Sequence, residues 1–418
     1  MKLFCFLDTG GSGHGTVGRQ FLENLLDENV ELSLSTHEWG FNRRGFTVGE
    51  ENRQFPDYRL REKLLRGGVN EDYLLEDQRE LRERNQNLYE QPKSMEEAES
   101  HELMIKDFDG KEDAWLTVGG LNHAQFAPQD DDIYTICETD WNLDIVPRDW
   151  KDYAEMVDEV WCPNEWNYRA FERRFDDELM KKVKIMPYGV DFSLKPTKEL
   201  AVQRLTSDKF TFLSVGRWCH MKGMDVLVKA FLEEFRASEP VRLFIKTTLN
   251  YQRPLTGEMV TNTIRQIVRE MRIPDPPEIG TMTSPLEEQQ YIDLFGASDA
   301  FVLPSTECVG ISIVQAAGYG LPIITTKWSA QPEYLDENEA FWVDFSLERP
   351  NIRDNRFHFY PSEYPPDSKW AVPDQESLQE QMRRVYEGET RDATSVREKF
   401  DWDECMNKRM ERLREIAG

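Results

Sequence analysis

The sequence has no run of eighteen apolar residues, so no transmembrane helix is expected. It also has no CxxC and no other paired cysteine spacing; its six cysteines, at 5, 137, 162, 219, 308 and 405, are scattered. That argues against a zinc site or a disulfide scaffold. It fits a reducing compartment, and a cytoplasmic location is expected. The opening MKLFCFLDTGG is too short in apolar residues for a signal peptide, lacks a cleavage site and reads as a first strand. Cations are scarce: 51 Lys and Arg stand against 78 Asp and Glu, a net charge of −27. Nonspecific nucleic-acid binding needs cations to displace phosphate counterions, so such a partner is disfavoured. The acid excess serves solubility or suits a salty cytoplasm. No D-x-D motif is placed for a metal; DDD (130–132) precedes a strand and reads as a solvated turn.

What is present suffices for a large folded protein. The apolar fraction of 39% is ample for a core, and 418 residues are too many for one compact unit, so two domains are expected. KLFCFLD is a strand, TGGSGHGTVG a glycine loop, RQFLENLLDE a helix and VELSLS a second strand. This is the start of a parallel α/β sheet. Residues 41–113 are rich in Glu and Arg and poor in β-branched residues. They read as a charged helical insertion, either a solvated excursion or an acceptor-binding lid. DDIYTICETDW gives a strand ending at Glu138, and KVKIMPYGVD another. After Pro196 the alternation starts afresh with KFTFLSVGR, and continues through AFVLPS and PIITT. The reading is two Rossmann-like halves in series with a cleft between them.

Three stretches carry chemistry. GHGTVG (13–18) matches G-x-G-x-x-G, follows a strand and opens a helix, and Glu38 lies where a ribose-binding acid would. An NAD(P)-dependent oxidoreductase is therefore one reading, although the loop specifies only an anion. SVGRWCHMKG (214–223) puts Arg217 at the end of a strand and Lys222 just before a helix, two cations able to clamp a diphosphate. PSTECVGISIVQAAGYG follows a strand with Glu307, then Gly310, then a helix whose first amides are open to phosphate. Glu307 can accept hydrogen bonds from sugar hydroxyls. Gln315, eight positions on, is expected to face the same cleft.

At these residues the chain resembles the retaining glycosyltransferases of family 4, which have the GT-B fold. GGSGHG (10–15), ETD (138–140), DEVWCPNEWN (158–167), IMPYGVD (185–191), SVGRWCHMKGMDVLVKAF (214–231), VLPSTECVGISIVQAAGYGLPIITT (302–326) and FDW (400–402) carry the likeness. It is greatest to the subgroup with E-T-D and D-E-V-W-x-P in the first domain. The resemblance implies an acceptor-side domain over 1–196, completed by a helix over about 403–418, and a donor-binding domain over 197–402.

The resemblance also implies roles. Arg217 and Lys222 hold the donor diphosphate, and Glu307 holds the transferred sugar. Gly310 and the amides of Ile311 and Ser312 approach sugar or phosphate. Gly11 and Gly13 let the opposite domain close on the donor, and Gln315 touches the nucleotide ribose. Where family members carry a His before the first domain's Glu, this chain has Cys137, a weak hydrogen-bond partner. His14 or His123 is a candidate substitute, and each also reads as an ordinary loop residue. Glu138 is a candidate acceptor or sugar contact. Trp39, Trp115, Trp141 and Trp218 read either as acceptor-cleft walls or as core.

The co-substrate expected is a nucleoside-diphosphate sugar, with no obligatory cofactor or metal. The acceptor is a hydroxyl on a glycan, a lipid-linked sugar or a small molecule. Other readings stay open: a non-catalytic GT-B binding protein, for which Gln315 and Cys137 speak, the oxidoreductase, and a glycosyltransferase acting on modified DNA bases.

Overall fold

The computed structural model describes residues 2–7, 31–36, 113–121, 124, 127–128, 132–197, 208–247, 257–284, 286, 288–349, 365 and 367–418. The glycine loop with Gly11, Gly13 and His14 lies outside the described residues, as do His123, Trp39 and the insertion apart from Asp113.

The first sheet is formed by β1 (Lys2–Leu7), β2 (Glu31–Thr36), β3 (Ala114–Val118), β4 (Tyr134–Glu138), β5 (Glu159–Cys162) and β6 (Val183–Ile185), in the order β2-β1-β3-β4-β5-β6. Every pairing is parallel. Successive strand residues point to opposite faces. Accordingly Trp115, Cys137 and Val160 enter one core cluster, while Leu116, Ile136 and Trp161 enter another. Both faces of β3, β4 and β5 are covered, and nearly all of their side chains are buried. Helices α1 (Trp150–Glu155), α2 (Glu165–Glu172) and α3 (Asp177–Met180) follow β4 and β5. Asn164 starts α2, its side chain accepting from the Asn167 amide.

The second sheet begins with β7 (Phe210–Val215), α4 (Met224–Glu234), β8 (Val241–Lys246), α5 (Gly257–Glu270) and β9 (Glu278–Met282). It continues with α6 (Glu288–Gly296), β10 (Ala300–Leu303), α7 (Ile311–Gly318), β11 (Ile323–Thr326), α8 (Gln331–Tyr334) and β12 (Ala340–Val343). Its order is β12-β11-β10-β7-β8-β9, again all parallel. The order reverses direction beside β7, the switch point at which open α/β sheets bind ligands. An antiparallel pair, β13 (Phe345–Glu348) and β14 (Trp370–Pro373), follows, then α9 (Gln375–Tyr386) and α10 (Val396–Lys399). Two Rossmann-like domains thus stand in series, as the sequence leads one to expect.

The last helix, α11 (Trp402–Ala417), returns to the first sheet. Asp401 caps it by accepting from the Glu404 amide at 2.9 Å. Its Met406, Met410 and Leu413, spaced for one helical face, pack with Leu3, Cys5 and Ile136. The outgoing and returning crossings run side by side, joined by a parallel bridge between Val190 and Asp401. Among the described residues no helix is long and apolar enough to cross a membrane. All six cysteines are unpaired and buried.

Candidate active site

The site grows from the carboxyl ends of β7 and β10. Beyond β7 the chain reads Gly216-Arg217-Trp218-Cys219 and then makes one tight turn over His220–Lys222. Gly223 closes the turn at φ 65°, ψ 22° and opens α4. Its left-handed conformation favours glycine, and a Cβ there would lie 2.4 Å from the Pro304 carbonyl oxygen. This close approach presses the turn onto the loop after β10. The Thr306 amide donates to the Met221 carbonyl at 2.8 Å, tying the two loops together.

The result is an ion pair between Lys222 and Glu307, both largely buried. Burial pushes the Lys222 ammonium down to about 8, and the positive charge of nearby Arg217 acts in the same direction. Cys219, Cys308 and Asp140 nearby act the other way. The second Glu307 oxygen, Oε2, is buried with no hydrogen-bond partner among the described residues. A buried carboxylate oxygen in that state lacks a donor that a ligand hydroxyl can supply.

The turn into α7 completes this wall. Gly310 caps the helix at φ 73°, ψ 59°, and a Cβ there would meet Ile313 at 2.9 Å. The Ile313 and Val314 amides bond back to Gly310, so those of Ile311 and Ser312 lead the helix with no carbonyl a turn earlier. Ser312 Oγ donates to the Val215 carbonyl at 3.1 Å. That bond fixes the head of α7 against the end of β7, next to Gly216 and Arg217.

Arg217, Lys222, Glu307, Gly310, Ile311 and Ser312 are therefore gathered at one sheet edge. Gln315 is placed differently from expectation. It is 9% exposed, and its Oε1 accepts from the Tyr291 hydroxyl on α6 at 2.9 Å. One of its two amide functions is thus engaged inside the domain, because a position so far into α7 lies over the neighbouring helix.

Glu138 was expected among the acceptor contacts, and the structure corrects this. It is 1% exposed, with both carboxylate oxygens bonded to Arg409 of α11. No face of the carboxylate is left for an acceptor, because the returning helix takes it as a partner. Cys137 beside it is wholly buried, and burial pushes its thiol up. Trp115 is core, its Nε1 donating to Thr117 Oγ1, and Trp141 is core as well. Trp218 is half-buried against the second core.

Sequence reasoning missed the contacts that the first domain makes here. Asn142 Oδ1 accepts from the Cys308 amide at 2.9 Å, and Asn164 Nδ2 donates to the Cys308 carbonyl at 2.8 Å. The capping pattern of Asn164 was readable before α2. Its bond to a residue 144 positions away was not.

Comparison with known proteins agrees with this geometry. Residues 209–347 match the sequence model of the family described as "Glycosyl transferases group 1". That stretch contains every residue gathered at the sheet edge. Among curated proteins, none matches the sequence significantly. In fold, the chain is similar to a glycosyltransferase of Rickettsia africae ESF-5, with 14% identity, a TM-score of 0.61 and coverage of 99% of this chain and 98% of that one. It is similar to the sucrose-phosphate synthase of Thermosynechococcus elongatus, at 15% identity and TM-score 0.63, over 100% and 99% of the two chains. It is similar also to Anabaena HepE, solved in complex with UDP and glucose, at 12% identity and TM-score 0.61 over 99% and 100%. Residues 209–347 are therefore similar to the glycosyl transferases group 1 family, in a chain of GT-B fold.

Proposed function

We propose that the chain is a retaining glycosyltransferase of family 4 that moves a sugar from a nucleoside-diphosphate sugar to a hydroxyl acceptor. The observation that carries the reading is the buried Lys222–Glu307 pair beside Arg217 and the head of α7. Two cations and a set of open amides suit a diphosphate, and the carboxylate oxygen without a donor suits a sugar hydroxyl. Structural neighbours solved with UDP, UDP-glucose and a UDP-fluoroglucose lend support to that donor class.

In this reading Arg217 and Lys222 neutralise the diphosphate as the bond from the sugar's anomeric carbon to the phosphate oxygen breaks. The acceptor oxygen attacks from the same face, and its proton passes to the departing phosphate. No protein nucleophile is required. The protein's part is to hold both partners and to stabilise the departing charge. The two cations supply that charge without an obligatory metal. Glu307 fixes the sugar through its hydroxyls.

Residues 1–196, completed by 403–418, form the acceptor side, with Gly11 and Gly13 closing on the donor and His14 or His123 offered to the acceptor. Residues 197–402 form the donor side. The acceptor is a glycan, a lipid-linked sugar or a small molecule. The buried free thiols support a cytoplasmic location.

A panel of nucleoside-diphosphate sugars, scored by thermal shift and by mass spectrometry for hydrolysis, tests the reading. At least one should stabilise the protein and be hydrolysed slowly, and Arg217→Ala should abolish this. Stabilisation by NAD(P)H and by no sugar nucleotide would overturn it.

A further inference from the structure

The loop between β10 and α7 has no regular structure of its own, yet its backbone is held at successive residues. The Thr306 amide donates to Met221 at 2.8 Å. The Glu307 carbonyl accepts from Gln331 Nε2 at 3.1 Å, and the Val309 carbonyl from the Tyr334 hydroxyl at 2.7 Å. Those three anchors come from the second domain. The remaining residue, Cys308, is held by the first domain at both its backbone groups, by Asn142 at the amide and Asn164 at the carbonyl.

The directions of these bonds follow from chemistry. A backbone amide can only donate and a backbone carbonyl only accept, so Asn142 presents its oxygen and Asn164 its nitrogen. The oxygen of Asn164 points the other way and accepts from both the amide and Nδ2 of Asn167. Asn167 in turn accepts from the Trp141 amide at 2.6 Å, next to Asn142. The loop after β4 and the head of α2 thus form one polar unit that grips a single residue across the domain boundary, at the peptides on both of its sides.

That residue, Cys308, follows Glu307 directly. We propose that Asn142 and Asn164 are positioning residues for the Glu307 carboxylate, so that contact between the domains sets the sugar-holding group in place. The inference rests on the nucleotide-sugar reading of the site. A contact that served only to join the domains would affect all ligands alike. A contact that aims Glu307 affects the sugar and spares the diphosphate, which Arg217, Lys222 and α7 hold within the second domain.

Titration calorimetry with UDP-glucose and with UDP separates these cases. If the donor panel selects another sugar nucleotide, that compound and its nucleoside diphosphate replace them. Asn164→Asp retains an oxygen to cap α2 but removes the donor to Cys308. It should weaken the sugar nucleotide roughly three- to tenfold relative to the nucleoside diphosphate, the scale of one hydrogen bond. Asn142→Ala should do the same, and Asn142→Asp, which still accepts from the Cys308 amide, should restore most of the loss. An unchanged ratio in Asn164→Asp, or an equal fall for both ligands, overturns the inference while leaving the function standing. So does an Asn142→Asp variant as impaired as Asn142→Ala. A wild-type protein that binds no sugar nucleotide brings down both.

Discussion

Arg409 of α11 holds Glu138 of β4 in a two-pronged ion pair, with both bonds at 2.5 Å and both side chains shielded from water. The same guanidinium also donates to the Met186 and Pro187 carbonyls, at 3.1 and 3.2 Å. Removing one partner leaves the other buried and uncompensated, which costs about 3–5 kcal/mol. Glu138→Gln and Arg409→Met should each lower stability by that order in chemical denaturation. The double variant should recover part of the loss, because no lone charge remains. A Glu138→Gln protein of wild-type stability would show that the pair does not brace the fold.

That pair also marks how far the sequence could be read. The two parallel sheets were legible because strands such as TICE and FTFLSV are apolar and alternate with helical stretches. The loop with Glu307 was legible because strand, acid, glycine and helix follow one another within a few residues. Glu138 was misplaced because its partner is 271 positions away, and nothing local to ETD separates a carboxylate facing a cleft from one facing a returning helix. Asn142 escaped notice for the same reason. A short polar residue after a strand fits any loop, and only the fold brings Cys308 to it.

The contact between Lys222 and Glu307 implies a competition. In the proposed reading Lys222 serves the diphosphate and Glu307 the sugar, and here the two are paired with each other. Glu307→Gln should weaken that hold and leave Lys222 more available. UDP should then bind as tightly as to wild type or more tightly, while transfer or hydrolysis falls. Lys222→Ala should lose both UDP affinity and rate, the rate by roughly 10²–10³ on the scale of one oxyanion-stabilising donor. Calorimetry and turnover on the two variants check this. A fall in UDP affinity in Glu307→Gln would refute the competition.

Affinity for the diphosphate should also depend on pH. Burial sets the free Lys222 ammonium at about 8, and a bound diphosphate favours its charged form. Above about pH 8 the free protein has given up a proton that the complex retains. By linkage, affinity is flat below that value and falls as pH rises through it. Lys246, also lowered by burial to about 8, titrates in the same range. Lys222→Arg distinguishes the two, since a guanidinium stays charged. UDP affinity measured from pH 6.5 to 9.5 should fall in wild type and stay nearly level in the variant. An equal fall in both would assign the effect to another group.

The Tyr291–Gln315 bond bears on which nucleotide is held. A Glu at position 315 would accept from both hydroxyls of a ribose, whereas Gln accepts through one atom and donates through the other. Here the Gln315 oxygen already accepts from the Tyr291 hydroxyl, so if the proposed ribose contact is made, only the amide nitrogen, a donor, is left for it. On that reading we propose that the demand for a 2′-hydroxyl is relaxed, so that thymidine-diphosphate sugars serve as donors. Exchanging one neutral hydrogen bond for a charged one is worth about 1 kcal/mol. Gln315→Glu should therefore shift the ratio of UDP-glucose to TDP-glucose affinity severalfold toward the ribose donor. Tyr291→Phe should shift it the same way but less, by freeing the Gln315 oxygen to accept. Competitive calorimetry with the two donors reads the ratio directly. A ratio unmoved by Gln315→Glu would place the ribose elsewhere.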